Sequence, residues 1–267
     1  MPLLTVLSHD SGVSGALRAR LGREHDVAEV RTWERLLWLV RERPVTGVVL
    51  DSAALAPSRD PDVAVADLRR RFPSVSMVLV HRPQLDPMTL FRLGRVRLDG
   101  LALIHVDDLG GALHDAIRRS AGHSTEARVV RAIGPRLSRS TVAVVRLALN
   151  GVQLGWDTDH LASRAGVSRA HLSVRLRSDG LPSAGHLLLW AKLLHAGRWL
   201  ADPARSAESI SRQLEYSSGA AFRRALHNYV GGTPSEVRDG GGFDRVLQQF
   251  LDVCGVDARL PIGRSVA

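Results

Sequence analysis

The chain has 267 residues, 45% of them hydrophobic, and a formal net charge of +9. That length suits two domains better than one, and no apolar run reaches the length of a membrane-spanning helix. A single cysteine, Cys254, excludes an internal disulfide and a thiolate metal cage.

The N-terminal MPLLTVLSHDSG lacks the basic start and cleavage site of a signal peptide, so a cytoplasmic location is expected. The charge is unevenly placed. Residues 1–123 hold 17 Arg against 15 Asp and Glu, while residues 124–240 hold 16 Lys and Arg against 9 Asp and Glu. The excess in the second stretch points to a polyanionic partner for that half.

The first 122 residues alternate strand and helix. Leu3–Leu7 reads as a short apolar strand, and Val13, Leu17 and Leu21 give the helical spacing of Ser11–Leu21. A weak strand at Val27–Val30 and a helix over Thr32–Arg41 follow. VTGVVL (Val45–Leu50) and VSMVLV (Val75–Val80) are near-continuous apolar runs, as in strands covered on both faces. A helix around Val63–Arg71 separates them, Gly100–Ile104 is the fifth strand, and Leu109–Arg119 the closing helix. Five strands with intervening helices imply a parallel sheet with right-handed crossovers.

This element order, the span of residues 1–122 and Asp51 at the end of the third strand resemble the receiver domain of bacterial response regulators. The resemblance makes Asp51 the candidate phosphoacceptor. The family's acidic pair after the first strand, however, is represented by Ser8, His9 and a late Asp10, and its hydroxyl and lysine positions hold His81 and His105. Phosphoryl transfer to a carboxylate needs a hard cation, and one displaced carboxylate plus Asp51 is a poor Mg²⁺ site. A degenerate receiver is therefore expected, with Asp51 a solvated or N-capping residue. His9, His81 and His105 share no local ligand spacing, so no metal site is assigned. The segment PMTLFRLGRVRL offers Leu90, Phe91 and Leu93 either to core packing or to a dimer contact, the latter being what the receiver resemblance suggests.

SAGHS (Ser120–Ser124) reads as a boundary, and residues 123–137 as a linker with a short connector helix at Ala127–Ile133. Ser138–Asn150 is a helix with Val142, Val145, Leu147 and Leu149. In TDHLASRAGVSRAHLSVRLRS, Thr158 offers a cap, Gly166 a left-handed turn, and Ser168 the cap of a second helix with Leu172 and Leu176 inward. Arg169, Ala170, Ser173, Val174 and Arg177 face out. Ser183–Leu200 is a long apolar helix capped by Ser183, about 27 Å at about 1.5 Å per residue.

A second pair of short helices follows. Ile210 and Leu214 mark the first, and Ser217-Ser218 supply the cap of the next. In that helix Phe222, Ala225, Leu226 and Tyr229 share one face, leaving Arg223, Arg224, His227 and Asn228 on the other. Gly231-Gly232 stops it, and Thr233-Pro234-Ser235-Glu236 is a capping box with proline in the first turn. Phe243–Val253 is a further amphipathic helix expected to lie on the second motif. ARLPIGRSVA reads as a frayed end, and Cys254 as a packing residue.

Two helix-turn-helix units joined by one long helix, LASRAGVSRAHL, WAKLLHAGRWL, SISRQLEYSSGAAFRRAL and GGTPSEVR in that order, resemble the DNA-binding domain of the AraC/XylS family. Three positions depart from it. Glu215 stands at the family's usual turn glycine, Val174 where arginine is frequent, and His227 where lysine or arginine is frequent.

The resulting expectation is an α/β N-terminal domain of receiver or flavodoxin-like type, residues 1–122, and an all-α DNA-binding domain, residues 138–240, with a C-terminal helix and tail over 241–267. The function expected is a transcription regulator that is not an enzyme and has no cofactor. It binds double-stranded DNA through Ser168, Arg169, Ala170, Ser173, Val174 and Arg177 of one motif, and Ser218, Ala220, Arg223, Arg224 and His227 of the other. Arginines supply phosphate and guanine contacts, and helix N-termini near Ser168 and Ser218 hold phosphates. A homodimer through the N-terminal domain and contact with RNA polymerase are the further partners considered; no membrane is. The alternative is a two-component response regulator phosphorylated on Asp51.

Overall fold

A computed structural model describes residues 3–23, 25–55, 60–81, 87–96, 98–103, 108–121 and 125–256. The side chains of Pro87, Thr89, Leu90 and residues 118–121 are not described, and His105 and the end of the chain from Asp257 lie outside the described residues. The chain divides into two units, 1–122 with 202–205, and 123–201 with 206–267.

In the first unit, β1 (Leu3–Leu7), β2 (Asp26–Val30), β3 (Val45–Asp51), β4 (Ser76–His81) and β5 (Gly100–Leu103) form one parallel sheet of order β2-β1-β3-β4-β5. Alternate side chains feed two cores. Leu7, Val48, Leu50, Met77 and Leu79 meet Leu36 and Val40 of α2 (Trp33–Glu42), Val65 and Leu68 of α3 (Pro61–Arg71) and Leu93 of α4 (Pro87–Arg95). On the opposite face Leu4, Val6, Val49, Val78 and Val80 meet Val13 and Leu17 of α1 (Ser11–Leu21) and Leu113 and Ala116 of α5 (Leu109–Ala121). Two covered faces explain why β3 and β4 read as continuous apolar runs. Thr32 caps α2 rather than forming its first turn.

The tetrapeptide Asp202–Arg205, which the sequence groups with the DNA-binding domain, belongs to this first unit. Asp202 accepts from the Ser74 N–H at 2.8 Å and from Ser74 Oγ at 2.6 Å. Arg205 Nε donates to Asp202 Oδ2 at 2.8 Å and Nη1 to the Arg43 carbonyl at 3.1 Å. Both charged side chains are fully buried. Burial raises the Asp202 carboxyl and lowers the Arg205 guanidinium against their mutual attraction.

The second unit is helical: α6 (Thr125–Ile133), α7 (Arg139–Gly151), α8 (Thr158–Arg164), α9 (Arg169–Ser178), α10 (Ala184–Leu200), α11 (Ala207–Gln213), α12 (Gly219–Val230), α13 (Pro234–Asp239) and α14 (Phe243–Val253). One core runs through it, and Val129 and Ile133 place α6 in that core, so the expected linker is partly structural. The axis is α10. Trp190 on this helix lies 5.7 Å from the Tyr229 ring and 5.6 Å from the Phe250 ring, centroid to centroid. A Cβ on Gly197 would approach Val246 Cγ2 to 2.7 Å, so a bare backbone lets α14 lie close along α10. The terminal helix therefore packs largely on the central rod, and only in part on the second motif.

His195 is the buried polar residue of that rod. Its Nε2 lies 2.8 Å from the Leu149 carbonyl, and its ring 5.7 Å from that of Trp199. Burial pushes its pKa down to about 4, and the hydrogen bond to Leu149 only partly offsets this.

Candidate nucleic-acid interface

Helices α8 and α9 make the first motif. Gly166 closes its turn with φ +66°. Asp157, one residue before the expected Thr158, caps α8 by accepting from the Asp159 and His160 N–H groups at 2.9 Å each. A carboxylate is the stronger acceptor for these orphan donors, and their hydrogen bonds, that of His160 foremost, hold its pKa low. Ser168 caps α9 by accepting from His171 N–H. Leu172 and Leu176 point into the core. The opposite face presents Ser168, Arg169, Ala170, Val174 and Arg177 to solvent, with Ser173 half-buried. Val174 is 64% exposed, a large apolar residue in the middle of the free face.

Helices α11 and α12 make the second motif. Its turn passes through Glu215 at φ +53°, the one non-glycine residue with positive φ among those described. That conformation costs an L-residue about 1–2 kcal/mol relative to glycine. The Glu215 carboxylate lies against Gly155: a Cβ there would come within 2.4 Å of Oε2. Ser218 caps α12 by accepting from Ala221 N–H, and Gly231 at φ +72° ends it. Phe222 and Leu226 are buried, while Ser218, Ala220, Arg223, Arg224 and His227 are exposed. Thr233 and Glu236 form the reciprocal capping box that opens α13. Ser183, in contrast, precedes α10 without a side-chain cap bond.

Two acidic residues that sequence reasoning passed over touch these faces. Asp159 on α8 pairs with Arg169, and Glu208 on α11 pairs with Arg223 at 3.5 Å. Their place in the first turn of each motif's first helix is visible in the sequence; the cross-helix pairing is not.

At the carboxyl edge of the sheet, the register Leu7↔Leu50 puts Ser8 beside Asp51. Asp51 is buried, contrary to the solvated option. Its Oδ2 accepts from Ser8 Oγ at 2.7 Å, and its Oδ1 caps the turn Ser52–Ala54 through Ala53 N–H at 3.1 Å. Asp10 turns to the N-terminus of α1, accepting from Gly12 N–H at 2.8 Å. His9 is exposed and His81 half-buried. Leu93 is core, whereas Met88 and Phe91 of α4 and Leu101 of the edge strand β5 are exposed.

Residues 161–240 match the family model described as "Helix-turn-helix domain". No curated protein sequence matches the chain. Among solved structures, FixJ from B. japonicum is 13% identical, covering 84% of this chain and 95% of its own at a TM-score of 0.39. RcsB from Salmonella enterica serovar Typhimurium, bound to the promoter rprA, is 16% identical, covering 70% and 97% at 0.37. The xylose-binding transcription activator XylR is 13% identical, covering 90% and 70% at 0.37. Identities and scores this low carry no argument about function. The family match spans the turn glycine Gly166, both exposed basic faces and the Thr233 capping box, and residues 161–240 are an AraC-type helix-turn-helix domain.

Proposed function

We propose that the protein is a transcription regulator that reads double-stranded DNA with α9 and α12 and is controlled through a receiver-like first unit that is not phosphorylated. The observation that carries the DNA reading is the pair of solvent-facing helix faces, Arg169 to Arg177 and Ala220 to His227, displayed by the buried stripes Leu172/Leu176 and Phe222/Leu226/Val230. The rod α10 has 17 residues, about 26 Å at about 1.5 Å per residue. Successive turns of one groove of B-DNA lie about 34 Å apart, so a rod of this length suits two reading helices on one side of the duplex. Arg223, Arg224, Arg169 and Arg177 are the proposed phosphate and guanine contacts. Acting on DNA, the protein would work in the cytoplasm.

The burial of Asp51 and its hydrogen bonds to Ser8 and Ala53 support a non-phosphorylated reading. An in-line phosphoryl donor needs a free carboxylate oxygen and a cation beside it. The exposed Met88, Phe91 and Leu101 are the proposed dimer contact. Genome-wide footprinting with purified protein, with and without a phosphodonor, tests both parts. Discrete footprints that ignore the donor are expected. Footprints that appear only with the donor, and vanish in Asp51→Ala, would establish the response-regulator alternative.

A further inference from the structure

We propose that Asp159 and Glu208 restrain non-specific DNA binding at this interface: each holds a reading arginine of its own motif in an internal ion pair that a DNA phosphate has to displace. The inference rests on the DNA-reading proposal and adds to it. In the first motif Arg169 pairs with Asp159 side-on, Nε facing Oδ1 and Nη2 facing Oδ2. In the second, Arg223 Nη1 lies 3.5 Å from Glu208 Oε2. Both acids occupy the second position of their motif's first helix, and both arginines belong to the second helix. In both motifs an acid of the first helix thus pairs with an arginine of the second, at the first position of α9 in one and the fifth of α12 in the other.

Glu208 does more than face Arg223. A Cβ on Gly219, the first residue of α12, would lie 2.3 Å from Glu208 Oε2 and 2.4 Å from Oε1. The missing side chain lets this carboxylate rest on the first turn of α12. Free N–H groups and the helix dipole favour an anion there, which is where a DNA phosphate would otherwise settle.

Both pairs are open to water, with side-chain exposures of 67% and 53% for Arg169 and Asp159, and 53% and 56% for Arg223 and Glu208. Such pairs add little to folding, and an incoming ligand reaches them. Non-specific DNA binding is almost wholly phosphate attraction, so an arginine already paired contributes less to it. A phosphate that takes one of these arginines exchanges one charge-assisted pair for another, so it gains less than it would from an unpaired arginine. The two carboxylates therefore weaken the phosphate attraction that supplies non-specific binding.

The test is fluorescence anisotropy of the full chain with fluorescein-labelled duplex DNA of mixed sequence, from about 50 to 200 mM salt. Glu208→Gln and Asp159→Asn should each tighten binding up to about fivefold at low salt. The gains should combine in the double variant and shrink as salt rises. Adding Arg223→Ala to Glu208→Gln should cancel the Glu208 gain. Asp252→Asn, at an exposed position of α14 bonded to Gln248, makes the same change in net charge and should give no comparable gain. If wild-type protein binds and the two variants bind no tighter, or Asp252→Asn gains equally, the restraining role is wrong while the DNA reading stands. If wild-type protein fails to bind at low salt, the DNA reading itself fails.

Discussion

His195 makes the stability of the second unit depend on pH, in a direction and size that follow from its surroundings. The imidazole is buried, with Nε2 at 2.8 Å from the Leu149 carbonyl and Gln153 Nε2 at 3.2 Å from Nδ1. Desolvation takes its pKa from 6.5 to about 4 in the folded chain. A lowered folded pKa means that the unfolded chain takes up the proton first. The contribution is intact above pH 6.5 and is lost as pH falls through the window down to about 4. Integrating the linkage with these two values gives a loss of about 2 kcal/mol between pH 7 and 5, and about 3 kcal/mol by pH 4. The assay is urea unfolding followed by tryptophan fluorescence at several pH values, for wild type and His195→Gln. Other groups titrate in both proteins, so the difference between the two curves isolates His195. Wild type should lose about 2 kcal/mol more than the variant on going from pH 7 to 5. Parallel curves would show that the imidazole titrates in the fold as it does in the unfolded chain, and the reasoning would fail.

Three further outcomes follow from the same geometry. Arg205→Ala strands the buried Asp202 carboxylate and should destabilise the first unit by about 3–5 kcal/mol, read as a lower urea midpoint and faster exchange of the Ser74 amide; replacing Asp202 and Arg205 together with apolar residues should recover most of the loss. Burial pushes the Cys254 thiol up to about 12, so a thiol reagent at pH 8 should label the native chain more slowly than the urea-unfolded chain, on the order of 100-fold. Acetyl phosphate should leave no hydroxylamine-labile label on wild-type protein, because Ser8 and Ala53 N–H hold the Asp51 oxygens; a label lost in Asp51→Ala would reverse that expectation.

What the sequence reveals depends on how local the cause is. The second motif is legible because each boundary carries its own chemistry: Ser218 caps, Gly231 turns left-handed, and Thr233 with Glu236 closes a box three residues wide. The sheet is legible because strands covered on both faces are continuously apolar. Glu215 shows its strain through the turn position alone. Other features depend on partners far along the chain. Nothing in the tetrapeptide DPAR signals that Asp202 meets Ser74, 128 residues away. The solvated option for Asp51 failed because its partner, Ser8, is 43 residues distant and placed there only by strand register. Asp157, Thr158 and Asp159 are all polar, and which one caps α8 depends on backbone geometry. His195 sits in a leucine- and tryptophan-rich run that marks burial, but its acceptor comes from α7. For the interface, helical spacing picks out the exposed faces; it does not show the carboxylates that partner Arg169 and Arg223.

The central claim is that α12 meets DNA through its basic face. The direct measurement is the affinity of the full chain for duplex DNA as a function of salt, for wild type and for Arg223→Ala/Arg224→Ala. Wild-type binding should weaken steeply with salt. The double variant should bind more weakly, with a slope of log K against log salt shallower by up to about 2, nearly one unit for each phosphate contact removed. An unchanged affinity and slope in the double variant would contradict the claim.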